Sequence, residues 1–316
     1  MGALSILITG AAGHVGRACV AHALAEGHRV RALIRGGPEP TPRTGLTVLR
    51  ADLARDDLTA AVQGVDAILH CAAAMTGDDA AMARDTVTAT ERLVTAAGAA
   101  GVAHIVLAGS VAVYGLAPLA EGTIVTEDTG LERDLKNRDA YTRAKLAQEH
   151  VVIGGACPAT VLRLGAVWGP GMVWNAHIGV AKGPVLLRMG RDGQIPLAHI
   201  DRVAAALVRA AELGPSRANP LNIFDTDLPD RLRYLNALQA GGWPRLVLPV
   251  SWRLFDAIAA RLPDMRRPGL LRRATLRARM APMGWTGAAA ETALNLPPQP
   301  GFERLMADAL KAEGGT

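Results

Sequence analysis

The sequence predicts an α/β protein: a doubly wound parallel sheet with a smaller, mostly helical C-terminal lobe. Three observations carry this reading. Strand-like and helix-like segments alternate through the first half, a glycine-rich turn joins the first strand to the first helix, and half of the 316 residues are hydrophobic, enough for a sizeable core.

Each element follows from its own residues. Ser5-Ile6-Leu7-Ile8 is a short apolar, partly β-branched run that ends at Gly10 and reads as a buried strand. From Arg17 to Leu24 the apolar residues recur at helical spacing, and Gly27 stops the helix. A second strand follows over Arg29–Ile34, then a Gly/Pro-rich loop at 36–40 and a strand over Leu46–Arg50 that runs into Ala51-Asp52-Leu53. The alternation continues with a helix over 57–63, a strand over Ala67–His70, a helix over 80–100 and a strand over Ile105–Ala108. A helix over 139–153 and a strand over Thr160–Arg163 extend the sheet, and a helix over 201–211 and a strand over 221–224 return to it. The stretch "GAVWGPGMVWNAHIG" from Gly165 reads as a long loop over a site, and 226–316 as helical pieces broken by prolines.

The turn "TGAAGHVG" places Gly10, Gly13 and Gly16 between the first strand and the first helix, with His14 and Val15 inside it. There the first glycine allows a sharp reversal, the second lets backbone approach a pyrophosphate, and the third lets helix and strand pack closely, with the helix N-terminus facing the anion. A second strand at βαβ distance supports a phosphate-binding turn over a purely structural one. Residues 1–165 then form a dinucleotide-binding domain, completed by about 197–225, and 166–196 with 226–316 form a substrate-binding cap over the carboxyl ends of the strands.

In "AYTRAKLAQEHVV", Tyr141 and Lys145 are four apart and share a helix face. An ammonium beside a phenol favours the phenolate, bringing a tyrosine toward the range useful for acid/base catalysis. Alone, such a pair is more often an ordinary surface contact. Ser110 closes the strand at 105–108, at the sheet edge where a nicotinamide would lie if the glycine turn holds its pyrophosphate.

These residues, in this order, resemble the extended short-chain dehydrogenase/reductase superfamily, the Rossmann-type branch of NAD-dependent epimerases and dehydratases, dihydroflavonol-type reductases and 3β-hydroxysteroid dehydrogenases. The match runs through Thr9-Gly10-x-x-Gly13-x-x-Gly16, Asp52-Leu53, His70-Cys71-Ala72-Ala73, Ser110-x-x-Val113-Tyr114-Gly115 and Tyr141-x-x-x-Lys145. Arg163, Trp168-Gly169-Pro170-Gly171 and His199-Ile200-Asp201 extend it to about residue 225. The resemblance implies that Tyr141 is the general acid/base, that Lys145 binds the nicotinamide ribose and lowers the tyrosine pKa, and that Ser110 hydrogen-bonds the reacting oxygen. It implies a dinucleotide site made of Gly10, Gly13, His14, Val15, Gly16, Arg35, Asp52, Leu53, Cys71, Ala72, Ala73, Ala108, Tyr141, Lys145 and Leu164. Ser110, Val111, Trp168 and Trp174 are the expected substrate contacts.

Departures from the family pattern narrow the expectation. Ile34 followed by Arg35 stands where NAD-preferring members carry an acid, and a guanidinium suits a 2′-phosphate, so NADP is expected over NAD. Ala166 and Met75 replace polar residues usual in nucleotide-sugar epimerases, Thr86 replaces a frequent Asn, and Gly109 a frequent Ser. The expected activity is hydride transfer between a nicotinamide and a secondary alcohol or ketone of a hydrophobic or cyclic small molecule. The alternatives are an NDP-sugar epimerase or dehydratase and a non-catalytic dinucleotide-binding sensor or scaffold.

Other classes find little support. Aromatic residues make up 3% of the chain, which speaks against a base-stacking platform, and a net charge of +5 does not by itself imply a nucleic-acid partner. Cys19, Cys71 and Cys157 lie far apart and read as buried inert thiols, and His14, His70 and His199 have no metal-ligand spacing. Residues 261–280 carry seven Arg against one Asp and could touch an anionic membrane, although Pro263 and Pro268 interrupt any long amphipathic face and favour a solvated surface. A cytoplasmic, soluble homodimer is expected.

Overall fold

The structure, a computed structural model, describes residues 2–215, 220–261 and 272–314. Five strands, β1 (Ser5–Thr9), β2 (Arg29–Ile34), β3 (Leu46–Arg50), β4 (Ala67–His70) and β5 (His104–Ser110), join Ala159–Leu164 and Leu221–Ile223 in one sheet. Its order is Leu221–Ile223, Ala159–Leu164, β5, β4, β1, β2, β3, and every pairing is parallel. Helices cover both faces, which is why β1 and β4 are buried at every position instead of alternating. One face packs α1 (His14–Ala25) and the helix Ile200–Leu213 on Ile6, Ile8 and Val106, and the other packs Leu58, Leu93 and Val152 on Leu7, Ile68 and Ile105.

From β1 the chain proceeds to β2 and β3 on one side, then crosses back to β4 on the other. The strand order therefore reverses between β1 and β4, where Thr9 lies in register with His70, and a crevice opens beyond their carboxyl ends. The helical stretch expected over 80–100 contains a π-helical segment, Ala83–Thr88, between Asp79–Met82 and Ala89–Ala99. Asp85 in this segment lines the crevice, and Thr86 accepts a hydrogen bond from the Ala74 amide at 3.0 Å.

The second half corrects two expectations. The stretch from Gly165 is not all loop: Ala166–Trp168 is a strand paired in parallel with Leu197–His199. Trp168 is fully buried, donates its indole N–H to Asp225 at 2.6 Å and packs on Phe302 and His199, so it belongs to the core under the cap. Trp174 stands half exposed against the edge of Trp243. Neither tryptophan lines the crevice, and both leave the set of substrate contacts. The cap is helical but also contains a three-stranded sheet, Gly179–Lys182, Val185–Met189 and Leu246–Val250.

Of the Arg-rich segment 261–280, residues 262–271 lie outside the described residues. In the helix Arg273–Met280, Arg273 and Arg277 both pair with Asp256 at 2.8 Å while staying partly exposed, and Leu276 is buried, so the helix packs on the cap and keeps part of its basic face in solvent. Among the described residues no helix is long and apolar enough to cross a membrane, and no cluster of His, Cys, Asp and Glu could hold a metal ion.

Candidate active site

The crevice is a cleft of about 1100 Å³. Every residue named from the sequence for the dinucleotide lines it, as do Ser110 and Val111. At its floor the glycine turn is drawn tight. Gly10 adopts φ +65°, where a β-carbon would also come within 2.9 Å of the Ala72 backbone, and a β-carbon at Gly16 would meet the Gly10 carbonyl oxygen at 2.2 Å. Gly13 caps α1 without a side-chain acceptor, so the first amides of a twelve-residue helix are left for an anion in the cleft. The His14 Nε2 is buried without a partner beside them.

At the adenosine end Asp52 and Leu53 follow β3, and Arg35 leaves the end of β2 with most of its side chain exposed. Its guanidinium pairs across the cleft with Asp85 at 3.2 Å, and Arg84 holds the same carboxylate at 2.7 Å. Both cations keep Asp85 below the usual carboxylate range, Arg84 the more strongly and against a burial penalty.

Ser110 ends β5, and its Oγ accepts the Ala112 amide at 3.2 Å, which fixes the hydroxyl at the strand end. Tyr141 lies in the first turn of the helix Ala140–Ile153, whose N-cap Asp139 accepts the Thr142 amide at 2.9 Å. The Ser110 hydroxyl is near enough to the Tyr141 phenol to favour its ionised form. One turn on, Lys145 is almost wholly buried and donates to the Ala108 carbonyl at 2.7 Å and to Gln148 Oε1 at 2.5 Å.

The electrostatics correct one sequence expectation. Burial raises the Tyr141 pKa above that of a free phenol, with the Ser110 hydroxyl pulling it down and the Asp139 charge pushing it up. Burial also lowers Lys145 to about 8, against the opposing pull of Cys71 and Glu149. The ammonium is spent on Ala108 and Gln148, and the phenol is tuned by Ser110 rather than by a contact with the lysine. Cys71 likewise lines the cleft and is only partly buried, unlike Cys19 and Cys157.

Sequence reasoning missed a polar network beneath this group. Gln148 donates to the Ala72 carbonyl at 3.2 Å and to Thr90 Oγ1 at 3.1 Å, and meets His70 Nε2 at 3.2 Å. His70 is hydrogen-bonded to Thr9 and Thr90 at 2.8 Å each, and burial pushes it down to about 3, so the imidazole is neutral. The one available signal was the spacing of Gln148, three residues after Lys145 on the same helix face.

A dinucleotide crevice at the strand reversal, with Ser, Tyr and Lys gathered at one end, defines a nicotinamide-linked enzyme of the extended short-chain dehydrogenase/reductase type. Comparison with known proteins makes the assignment specific. Residues 6–223 match the NAD dependent epimerase/dehydratase family, and the chain belongs to that family. It is 32% identical to dTDP-6-deoxy-L-talose 4-dehydrogenase (NAD(P)(+)) of Kitasatospora kifunensis over 61% of this chain and 62% of that protein, so the match falls short of two thirds of that relative's length. It is 28% identical to 3 beta-hydroxysteroid dehydrogenase/Delta 5-->4-isomerase of Mycobacterium tuberculosis over 76% of this chain and 71% of that protein. The fold is shared with MoeE5 in complex with UDP-glucuronic acid and NAD, at a TM-score of 0.73 and 24% identity over 98% of each chain.

Proposed function

We propose that this protein is an NAD(P)-dependent dehydrogenase/reductase that moves a hydride between the nicotinamide and a secondary alcohol or ketone of a hydrophobic or cyclic small molecule. The observation that carries the reading is the convergence of Ser110, Tyr141 and Lys145 on one cleft whose lining includes the apolar Leu116, Val167, Met172 and Trp285. The similarity to a hydroxysteroid dehydrogenase agrees with such a lining.

The chain's own residues fit the dinucleotide. The glycine cradle admits no side chain, the uncapped first turn of α1 suits a diphosphate, and Asp52 and Leu53 flank the adenosine end. Bound there, the dinucleotide supplies or accepts the hydride. In reduction Tyr141 gives its phenolic proton to the carbonyl oxygen as the carbon gains the hydride, and Ser110 steadies that oxygen while its charge changes. Lys145, fixed on Ala108 and Gln148, would hold the nicotinamide ribose of a bound dinucleotide. NADP is the proposed preference because Arg35 stands at the end of β2 with its guanidinium turned to the cleft.

A panel of cyclic and steroidal ketones, followed by the stoichiometric loss of NADPH absorbance, tests the reading. Tyr141→Phe should lower turnover by about 10² or more and leave cofactor affinity nearly intact. Interconversion of a nucleotide sugar with no net change in cofactor would instead make the protein an epimerase.

A further inference from the structure

Past Ser110 and Tyr141 the apolar walls of the cleft are interrupted by Arg138, His177 and Arg279. Arg279 lies in the last turn of the helix Arg273–Met280 and is half-buried. Its backbone carbonyl accepts Arg231 Nη2 at 2.8 Å, but its guanidinium makes no hydrogen bond or ion pair among the described residues. Its helix neighbours Arg273 and Arg277 share Asp256.

Arg138 is 3% exposed. Its Nη1 faces Glu132 at 3.4 Å and its Nη2 donates to the Ala112 carbonyl and Thr142 Oγ1 at 3.0 Å each, while its Nε is buried without a partner. Asp139, whose charge also acts on Arg138, accepts from the Thr142 amide and from the hydroxyls of Thr142 and Thr275. His177 Nδ1 is bound to Asn175 at 2.7 Å. Burial first, then Arg279 and Arg231, push that imidazole down to about 3, as a surplus of positive potential would.

A guanidinium that lines a cleft with no hydrogen bond or ion pair of its own is available to an anion that enters there. We propose that this end of the cleft receives a carboxylate carried by an otherwise apolar substrate, with Arg279 as its direct partner and Arg138 beside it. The inference rests on the reading of the cleft as an oxidoreductase site and names its substrate class as hydrophobic or cyclic keto and hydroxy acids. One unpaired guanidinium matches a single negative charge and a planar fork better than it matches a diphosphate.

The test uses two matched pairs, 3-oxocyclohexanecarboxylate against its carboxamide and cinnamate against cinnamamide, titrated by calorimetry into NADP-saturated protein. Each acid should bind about tenfold or more tighter than its amide, the scale of a charge-assisted contact. Arg279→Met should bring the pair to within about threefold, and Arg279→Lys should restore part of the difference. Equal affinities in the wild type, no binding by either member, or a tenfold preference that survives Arg279→Met would each overturn the anion site. NADP titration of Arg279→Met serves as the folding control. The same compounds separate this inference from the redox reading. Loss of the acid preference with continued reduction of neutral ketones ends the anion site alone, whereas an acid preference in a protein that reduces no ketone ends the redox assignment alone.

Discussion

Cofactor choice at the residue scale turns on a competition for one guanidinium. Arg35 pairs with Asp85 across the cleft, and a 2′-phosphate would have to draw it away. A partly exposed pair of this kind contributes about 0.2–1 kcal/mol. Asp85→Asn should therefore raise the affinity ratio of NADP to NAD by up to about fivefold. Arg35→Ala should reduce the NADP preference by about 1–3 kcal/mol, the scale of a charge-assisted hydrogen bond. Calorimetry with both nucleotides measures each effect, and equal NADP and NAD affinities in the wild type would remove Arg35 from the site. Arg35 was legible because it follows β2 directly. Asp85 was not, because its approach depends on the π-helical segment Ala83–Thr88, which periodicity cannot register.

At the element scale the helix Ala140–Ile153 aligns the reacting groups and is braced at three levels. Asp139 caps its start, Gln148 ties its middle to β4 through His70 and Ala72, and Glu149 pairs with the buried Arg163 on the neighbouring strand. Arg163 also donates to the Tyr114 hydroxyl at 3.0 Å, which in turn donates to Asn222 at 2.7 Å. Gln148→Leu removes the acceptor that favours the charged lysine, so the Lys145 pKa should fall further below about 8 and the alkaline limb of kcat/KM should move to lower pH. The same change leaves buried polar partners unsatisfied and should cost about 1–3 kcal/mol of stability, read from urea unfolding. An unmoved pH limb in a folded variant would leave Gln148 a structural role only. Tyr141 and Lys145 declared themselves through spacing within one helix, whereas the partners of Gln148 come from β4 and the helix Ala89–Ala99 and meet it only in the folded chain. Trp168 misled for the same reason. Set among glycines it looks like loop, and its burial is decided by Phe302 and Asp225, far along the sequence.

At the scale of the whole molecule, buried histidines tie stability to pH. Burial lowers His70 to about 3 and His104 to about 4, whereas both titrate near 6.5 when unfolded. The unfolded chain then binds protons that the native one refuses. Their contribution to stability is complete above about pH 6.5 and drains away as pH falls through the native values, at up to about 1.4 kcal/mol per pH unit for each histidine. Urea midpoints should drop steadily from pH 7 to pH 5, and a flat profile would show that neither imidazole is held neutral. The parallel sheet itself was readable in outline, since its apolar runs and connecting helices are local signals, but its strand order is a product of long-range packing. That order has a consequence for synthesis. Leu221–Ile223 is the last strand of the sheet to be made, and until it arrives Ala159–Leu164 stands as an open edge, hydrogen-bonded to β5 on one side only. A nascent chain still short of residue 221 therefore offers that edge to its neighbours on a polysome. A chain stopped after Leu213 should sediment as aggregate where the full-length protein stays in solution, which makes the interval between these two strands the hazardous moment in its birth.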